Sequence, residues 1–337
     1  MKAIVYDQPG LPIEDPRSLY ETELEKPVPG ARDLLVKIQA IAVNPVDSKL
    51  RLGVPTPGPR ILGWDAVGVV EQVGDAVTAF SIGDPVWYAG DITRSGCYAE
   101  YGLVDERIAA RRPTSISAAE AAALPLTAIT AWELLFDRLK VSEGGGKGQA
   151  LLIIGAGGGV GSILVQLARQ LTQLTVIGTA SRPQTQKWVS ALGAHHVIDH
   201  GQPLQVQIAE LGLPQVDHVI SLTHTEHYYP QLIEVLKPQG QLALIDDPTS
   251  LDAMPLKRKS ISLHWEFMFT RSMYRTGDQI QQQVLLSRVS ELIDRGVLRS
   301  TLGEHFGVLN AANLRRAHAL IESGKAQGKI VLEHSQG

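Results

Sequence analysis

Gly155, Gly158 and Gly161, spaced G-x-x-G-x-x-G, stand between an all-apolar run and a helical one. Residues 151–154, Leu-Leu-Ile-Ile, read as a strand buried on both faces of a parallel sheet. Residues 162–173 carry Ile163, Leu164, Leu167 and Leu171 at helical spacing. Strand, tight turn and helix present unpaired N–H groups and a positive dipole end where a pyrophosphate binds. Gly155, Gly157, Gly158, Gly159, Val160 and Gly161 therefore form the candidate phosphate cradle. The strict G-x-G-x-x-G spacing is absent, and the competing reading is a βα turn that needs glycine for positive φ.

The end of the next strand selects the nucleotide. An NAD site carries Asp or Glu roughly 20 residues after the glycines, on the ribose 2′-OH. Here the chain reads Thr179-Ala180-Ser181-Arg182, with no acid before Asp199. A hydroxyl and a guanidinium bind a 2′-phosphate that a carboxylate would repel. Lys187, one helical turn on, adds a second positive charge, so NADPH is the expected cofactor. Ser181 as a helix cap and Arg182 as a solvated residue is the alternative, and the two are compatible. His224-Thr-Glu-His227 is the one metal-like pattern. Two histidines without a third ligand read as loop and helix-start residues, and no metal site is expected.

The elements that must position these residues are legible in outline. Strands at 151–154, 175–179, 196–198, 216–221, 241–245 and 261–267 alternate with helical stretches, which implies a doubly wound parallel sheet. Residues 1–115 read instead as short strands (2–6, 34–43, 67–73, 86–89, 97–104) punctuated by Gly and Pro, a β-rich, barrel-like unit. Ser117-Ala-Ala-Glu120 is a capping box opening an alanine-rich helix that is interrupted at Pro125 and runs to about 138. Helices near 280–296 and 311–323 and a last strand at 330–332 lack a core of their own and are expected to return to the β-rich unit. The division is thus 1–122 with 270–337, and 123–269 for the nucleotide.

With 337 residues, 44% apolar, 20% charged and a net charge of −4, the chain suits two soluble domains and argues against a general nucleic-acid binder. No run approaches the ~18 apolar residues of a membrane span, and Met1–Tyr6 reads as a strand rather than a signal peptide. Lys257-Arg258-Lys259 reads as a solvated turn. One cysteine, Cys97, excludes an internal disulfide and fits a reducing cytoplasm.

Several segments together resemble the medium-chain dehydrogenase/reductases, in the quinone oxidoreductase branch that includes zinc-type alcohol dehydrogenase-like proteins. They are Asn44-Pro-Val-Asp47, Gly63-Trp64-Asp65, Val67-Gly-Val-Val70, Gly83-Asp-Pro-Val86, Ala99-Glu-Tyr101, Ala123-Leu-Pro-Leu-Thr-Ala128, the glycine loop, Leu192-Gly-Ala194 and Gly328-Lys-Ile-Val-Leu332. The resemblance spans nearly the whole chain. It implies a Rossmann domain inserted in a GroES-like catalytic domain, with the cofactor in the cleft between them. Zinc-dependent relatives place Cys where this chain has Asn44 and His where it has Trp64. No histidine precedes His195, and the four-cysteine structural zinc lobe is missing, so neither zinc site can be built.

Without a Lewis acid the expected reaction is hydride transfer from NADPH to a quinone or an α,β-unsaturated carbonyl, whose charge delocalises onto oxygen. The resemblance carries Asn44 to the nicotinamide or substrate carbonyl and Thr127 to the nicotinamide, while an Asn-Pro turn and a helix-end hydroxyl are the plainer readings. Asp47 reads as a helix cap more than an acid–base group. Trp64 stands in for the tyrosine that quinone reductases place after the glycine matching Gly53. Leu222, Thr223, Ile245 and Asp246 end successive strands where a dinucleotide lies, and Lys329 either approaches the cofactor or is solvated. The apolar edge strand near 261–267 predicts a homodimer. The rival readings are a zinc-dependent alcohol dehydrogenase and an inactive NADPH-binding sensor.

Overall fold

The longest strand, Asp33–Val43, is the spine of the β-rich unit. The computed structural model describes residues 1–335. In its seven-stranded sheet the order is Leu302–Val308, Lys329–Glu333, Asp33–Val43, Ala66–Val73, Pro85–Tyr88, Ala109–Arg111, with Tyr101–Asp105 also paired to Asp33–Val43. A three-stranded sheet joins Tyr20–Glu23, Lys2–Tyr6 and Arg60–Ile61. Register places the functional positions. Ile330 pairs with Val43 and Ala66 pairs with Ile41, both antiparallel. The residues just before those partners, Lys329 and Asp65, are therefore brought from either side to the end of the spine, where Asn44 follows.

The second unit is a six-stranded parallel sheet in the order His196–Ile198, Thr175–Thr179, Ala150–Ile154, Val216–Ser221, Leu236–Leu244, Ser262–Trp265. Numbered along this unit, that is 3-2-1-4-5-6, the doubly wound order with its switch point between Ala150–Ile154 and Val216–Ser221. Ala150–Ile154 is buried at every position, as a central parallel strand should be. Residues on one face of the sheet (Leu152, Ile154, Ile177, Val219 and Leu242) pack with Leu204, Ile208, Leu232 and Val235 from covering helices. Lys259 is not a solvated turn residue. Its Nζ donates to Ile233 O, Glu234 O and Leu236 O at 2.8, 2.8 and 2.6 Å, closing the end of helix Thr225–Val235.

The chain separates into residues 1–129 together with those from Phe269 onward, and Thr130–Met268. The start of helix Pro125–Trp132, and Thr127 with it, falls in the β-rich unit rather than the nucleotide unit expected for 123–269. Ala118–Arg138 is long and apolar enough to cross a bilayer, contrary to the sequence reading that no run comes close. Its window is 83% buried within the protein, which makes it a core helix run. Its last segment, Glu133–Arg138, is π-helical. The edge strand is shorter than expected, Ser262–Trp265, because the chain turns into helix Thr270–Tyr274. Tyr20–Glu23 and Leu302–Val308 escaped the sequence reading: neither holds a buried residue, so no buried apolar face marks them.

Candidate active site

In the parallel-sheet unit the glycine turn forms as the residue types require. Gly155 sits at φ +82 at the end of Ala150–Ile154, and its N–H donates to Thr179 Oγ1 at 3.1 Å. Helix Gly159–Leu171 then opens from Gly158, and its first bond is Ser162 N–H to Gly158 O at 2.9 Å. The amides of Gly159, Val160 and Gly161 precede that bond and have no partner within the helix. A Cβ on Gly161 would lie 2.5 Å from Gly155 O and 2.6 Å from Ala156 Cα, so only glycine lets the helix approach its strand. Leu222 N–H donates to Ile154 O at 3.2 Å, and Thr223 packs beside Gly155, across the switch point. Ser181, Arg182 and Lys187 are exposed at the end of Thr175–Thr179 and the start of helix Pro183–Ala191. A helix N-terminus and a turn only glycine fits suit the pyrophosphate of a dinucleotide.

One expected cofactor contact is engaged within the protein. Asp246 accepts from Thr225 N–H at 2.8 Å and is hydrogen-bonded to its hydroxyl, which fixes the start of helix Thr225–Val235. Ile245 is half-buried at the strand end with no polar role. His224, Glu226, His227, Asp246 and Asp247 line a cavity of about 400 Å³. His224 is held in the left-handed region at φ 51 with Nδ1 2.6 Å from Thr223 Oγ1, and the His227 ring meets Tyr228 edge-on.

The β-rich unit holds a buried polar centre. Lys329 Nζ donates to Val43 O at 2.9 Å, Asn44 Oδ1 at 2.5 Å and Asp65 Oδ2 at 2.9 Å. Asn44 Nδ2 also donates to Asp65 Oδ2, at 2.8 Å, and Leu126 N–H donates to Asp65 Oδ1 at 2.7 Å. Burial raises the Asp65 carboxyl, and the Lys329 ammonium with the two N–H donors opposes that rise. Beside it, Asp47 Oδ2 accepts from Asn44 N–H at 2.7 Å and from Tyr98 O–H at 2.6 Å. Tyr98 Oη lies 3.3 Å from His318 Nε2, whose Nδ1 lies 3.1 Å from Ser48 Oγ. With Tyr98 donating to Asp47, the consistent tautomer has His318 Nε2–H donating to Tyr98 and Ser48 O–H donating to Nδ1.

This geometry revises the four catalytic candidates. Asn44 is buried, and its amide serves Asp65 and Lys329 instead of projecting toward a carbonyl or nicotinamide. Asp47 does cap, but as the third helical residue accepting from the backbone of Asn44 at the head of helix Pro45–Gly53. Trp64 is buried: its indole N–H donates to Asp91 O at 3.1 Å and its ring meets Phe269 edge-on, so it offers no free aromatic surface. Thr127 Oγ1 donates to Leu124 O at 3.1 Å, the plainer reading. Lys329 is neither solvated nor free to reach a cofactor, since all three of its N–H groups have acceptors. Asp65, Tyr98 and His318 were missed as members of this centre. Only strand register and the packing of helix Ala311–Glu322 on Pro45–Gly53 bring them in.

The donor set does not fit catalytic zinc. Asn44 and Trp64 stand at the expected ligand positions, and Cys97 Sγ–H donates to Asp65 O at 3.2 Å, its thiol held unreactive by burial. Among the described residues no three His, Cys, Asp or Glu side chains converge to hold a metal.

Two buried groups give opposite pH dependences. Burial raises the Asp47 carboxyl from 3.8 to about 7, so the folded chain keeps a proton that the unfolded chain has lost. Stability from that proton is complete below 3.8 and is lost as pH rises toward 7. Burial, and then Arg51, lowers His318 from 6.5 to about 3, so stability from the neutral ring is complete above 6.5 and is lost as pH falls. Between these limits the slopes oppose each other. Asp47→Asn should therefore unmask His318: thermal unfolding followed from neutral pH downward is expected to fall more steeply in the variant than in wild type. Parallel curves would show that Asp47 carries no buried proton.

Known proteins are similar to this chain in sequence and fold. Residues 30–114 match the alcohol dehydrogenase GroES-like domain and 192–332 the zinc-binding dehydrogenase family. A zinc-type alcohol dehydrogenase-like protein of Staphylococcus aureus (strain MSSA476) is 42% identical over 98% of this chain and 99% of its own. A solved Rhizobium etli CFN 42 protein, named for zinc-dependent alcohol dehydrogenase, is 52% identical with a TM-score of 0.95, covering 99% of this chain and 98% of its own. Escherichia coli quinone oxidoreductase, solved with NADPH, is 25% identical with a TM-score of 0.84, covering 99% of this chain and 100% of its own. With the Rossmann order, the glycine turn and the GroES-like match together, the chain belongs to the medium-chain dehydrogenase/reductase superfamily, as an oxidoreductase of its quinone oxidoreductase branch.

Proposed function

We propose that this protein is an NADPH-dependent, metal-independent reductase of quinones or α,β-unsaturated carbonyls. The observation that supports this most is the buried centre of Asn44, Asp65 and Lys329, whose donors and acceptors are committed to one another. Such a site has neither a metal-ligand set nor a spare acid to polarise a simple ketone. It suits an acceptor that is already electrophilic. The helix amides at Gly159–Gly161 would receive the pyrophosphate, and Ser181, Arg182 and Lys187 the 2′-phosphate. Bound there, the nicotinamide supplies hydride. The chain's own part is to orient the reactants and exclude water. Asp47 keeps a proton but is fully buried against Asn44 and Tyr98, so protons reach the product from solvent.

Pure protein is expected to oxidise NADPH with quinones or enones and to keep that activity after chelator treatment. Loss on chelation and recovery with zinc would install the alcohol dehydrogenase reading. Tight NADPH binding without turnover across the panel would leave a sensor. We also infer a homodimer through the edge strand Ser262–Trp265, which among the described residues pairs on its Leu236–Leu244 side alone, with Trp265 and Phe267 exposed nearby. Sedimentation at the mass of a single chain would refute it.

A further inference from the structure

We propose that the Lys329 ammonium is the resident cation of the β-rich unit, a positioning residue that neutralises charge and orients the groups around it. Three oxygens from separate places converge on it: Val43 O at the end of the spine strand, Asn44 Oδ1 at the helix start, and Asp65 Oδ2 before strand Ala66–Val73. Convergent oxygens around a buried positive centre are what a hard cation's ligand shell provides. Here the centre is covalently supplied, because the pairing of Ile330 with Val43 delivers the preceding lysine to that point.

The consequence reaches beyond the pair. Asp65 spans the centre: one oxygen holds Lys329 and Asn44 Nδ2, while the other accepts from Leu126 N–H in the first turn of helix Pro125–Trp132. Asn44 in turn presents its backbone N–H to Asp47. One cation thereby fixes two helix starts and two strand ends. Lysine is 3% exposed and Asp65 fully buried, so neither charge can be removed alone without stranding the other. The same ammonium opposes entry of a divalent metal at these oxygens, which fits the missing Cys and His ligands.

Two measurements test this. The first does not depend on the reductase reading: thermal unfolding of Lys329→Met, Asp65→Asn and the double variant. Each single change is expected to lower Tm by roughly 5 °C or more, and the double variant to recover much of that loss, because no lone charge remains. Additive losses, or single variants at wild-type Tm, overturn the assignment. The second rests on the proposed reduction of quinones. Lys329→Ala should lose kcat at least about tenfold, the cost of misplacing groups that orient a reaction. Propylammonium, which matches the deleted atoms, should restore part of it, and tetramethylammonium, which has no N–H, should not. Undiminished kcat in the alanine variant overturns the positioning role. If wild type reduces no quinone at all, the proposed function fails while the unfolding cycle still decides the present assignment.

Discussion

Replacing Gly161 with alanine is expected to weaken NADPH binding by roughly a hundredfold, the scale of loss that an ångström of misplacement brings. The added Cβ would sit 2.5 Å from Gly155 O and 2.6 Å from both Ala156 Cα and Ala156 O. These are backbone atoms of the turn itself and cannot rotate aside as a side chain would. Relief requires helix Gly159–Leu171 to move away from strand Ala150–Ile154, which takes the amides of Gly159 and Val160 away from the phosphate position. Binding titrations with NADPH, alongside circular dichroism to confirm a folded sheet, check this. A variant that binds as wild type does would show that the helix N-terminus is not where the pyrophosphate lies. Gly158→Ala is the internal control. A Cβ there meets only Gly155 O, at 3.6 Å, an ordinary contact, so it should be far milder.

Arg182→Ala is expected to raise the dissociation constant for NADPH by about 10- to 100-fold, because a hydrogen bond to a charged group contributes about 1.5–3 kcal/mol. NADH, which lacks the 2′-phosphate, should be nearly unaffected. Arg182 precedes helix Pro183–Ala191 and is exposed with Ser181. The converse change, Ser181→Asp, should repel NADPH and favour NADH, since a carboxylate at the strand end accepts from a free ribose hydroxyl. Equal weakening of both cofactors by Arg182→Ala would remove the case for a phosphate contact. In that event Arg182 would serve only the helix start.

The nucleotide half of this molecule could be read from the chain because its signals are local. Apolar runs such as 151–154, glycines at a turn, and helical spacing after them depend on neighbours a few residues away, and the sheet order follows from right-handed crossovers between such units. The proposed phosphate-binding end at Ser181 and Arg182 rests on a local signal too, the absence of an acid at one strand end. The edge strand was overestimated at 261–267 because Phe267, Met268 and Phe269 are as apolar as a strand. Their turn toward helix Thr270–Tyr274 depends on packing.

What could be read from the residues is that Asn44 and Trp64 stand where the zinc-dependent proteins it resembles carry ligands, with one cysteine in the chain and no histidine before His195. What only the tertiary structure decided is how the remaining polar groups are used. Asn44, Asp65 and Lys329 lie far apart in the chain, and nothing local marks a lysine in Gly-Lys-Ile-Val-Leu as buried. Pairing of Ile330 with Val43 and Ala66 with Ile41 sets all three at one strand end, where low dielectric makes an unpartnered charge costly and so commits each group to the others. Asp47, Tyr98 and His318 follow the same logic through helix packing. Polar side chains that look free to act in a sequence become fixed supports once burial obliges them to find partners.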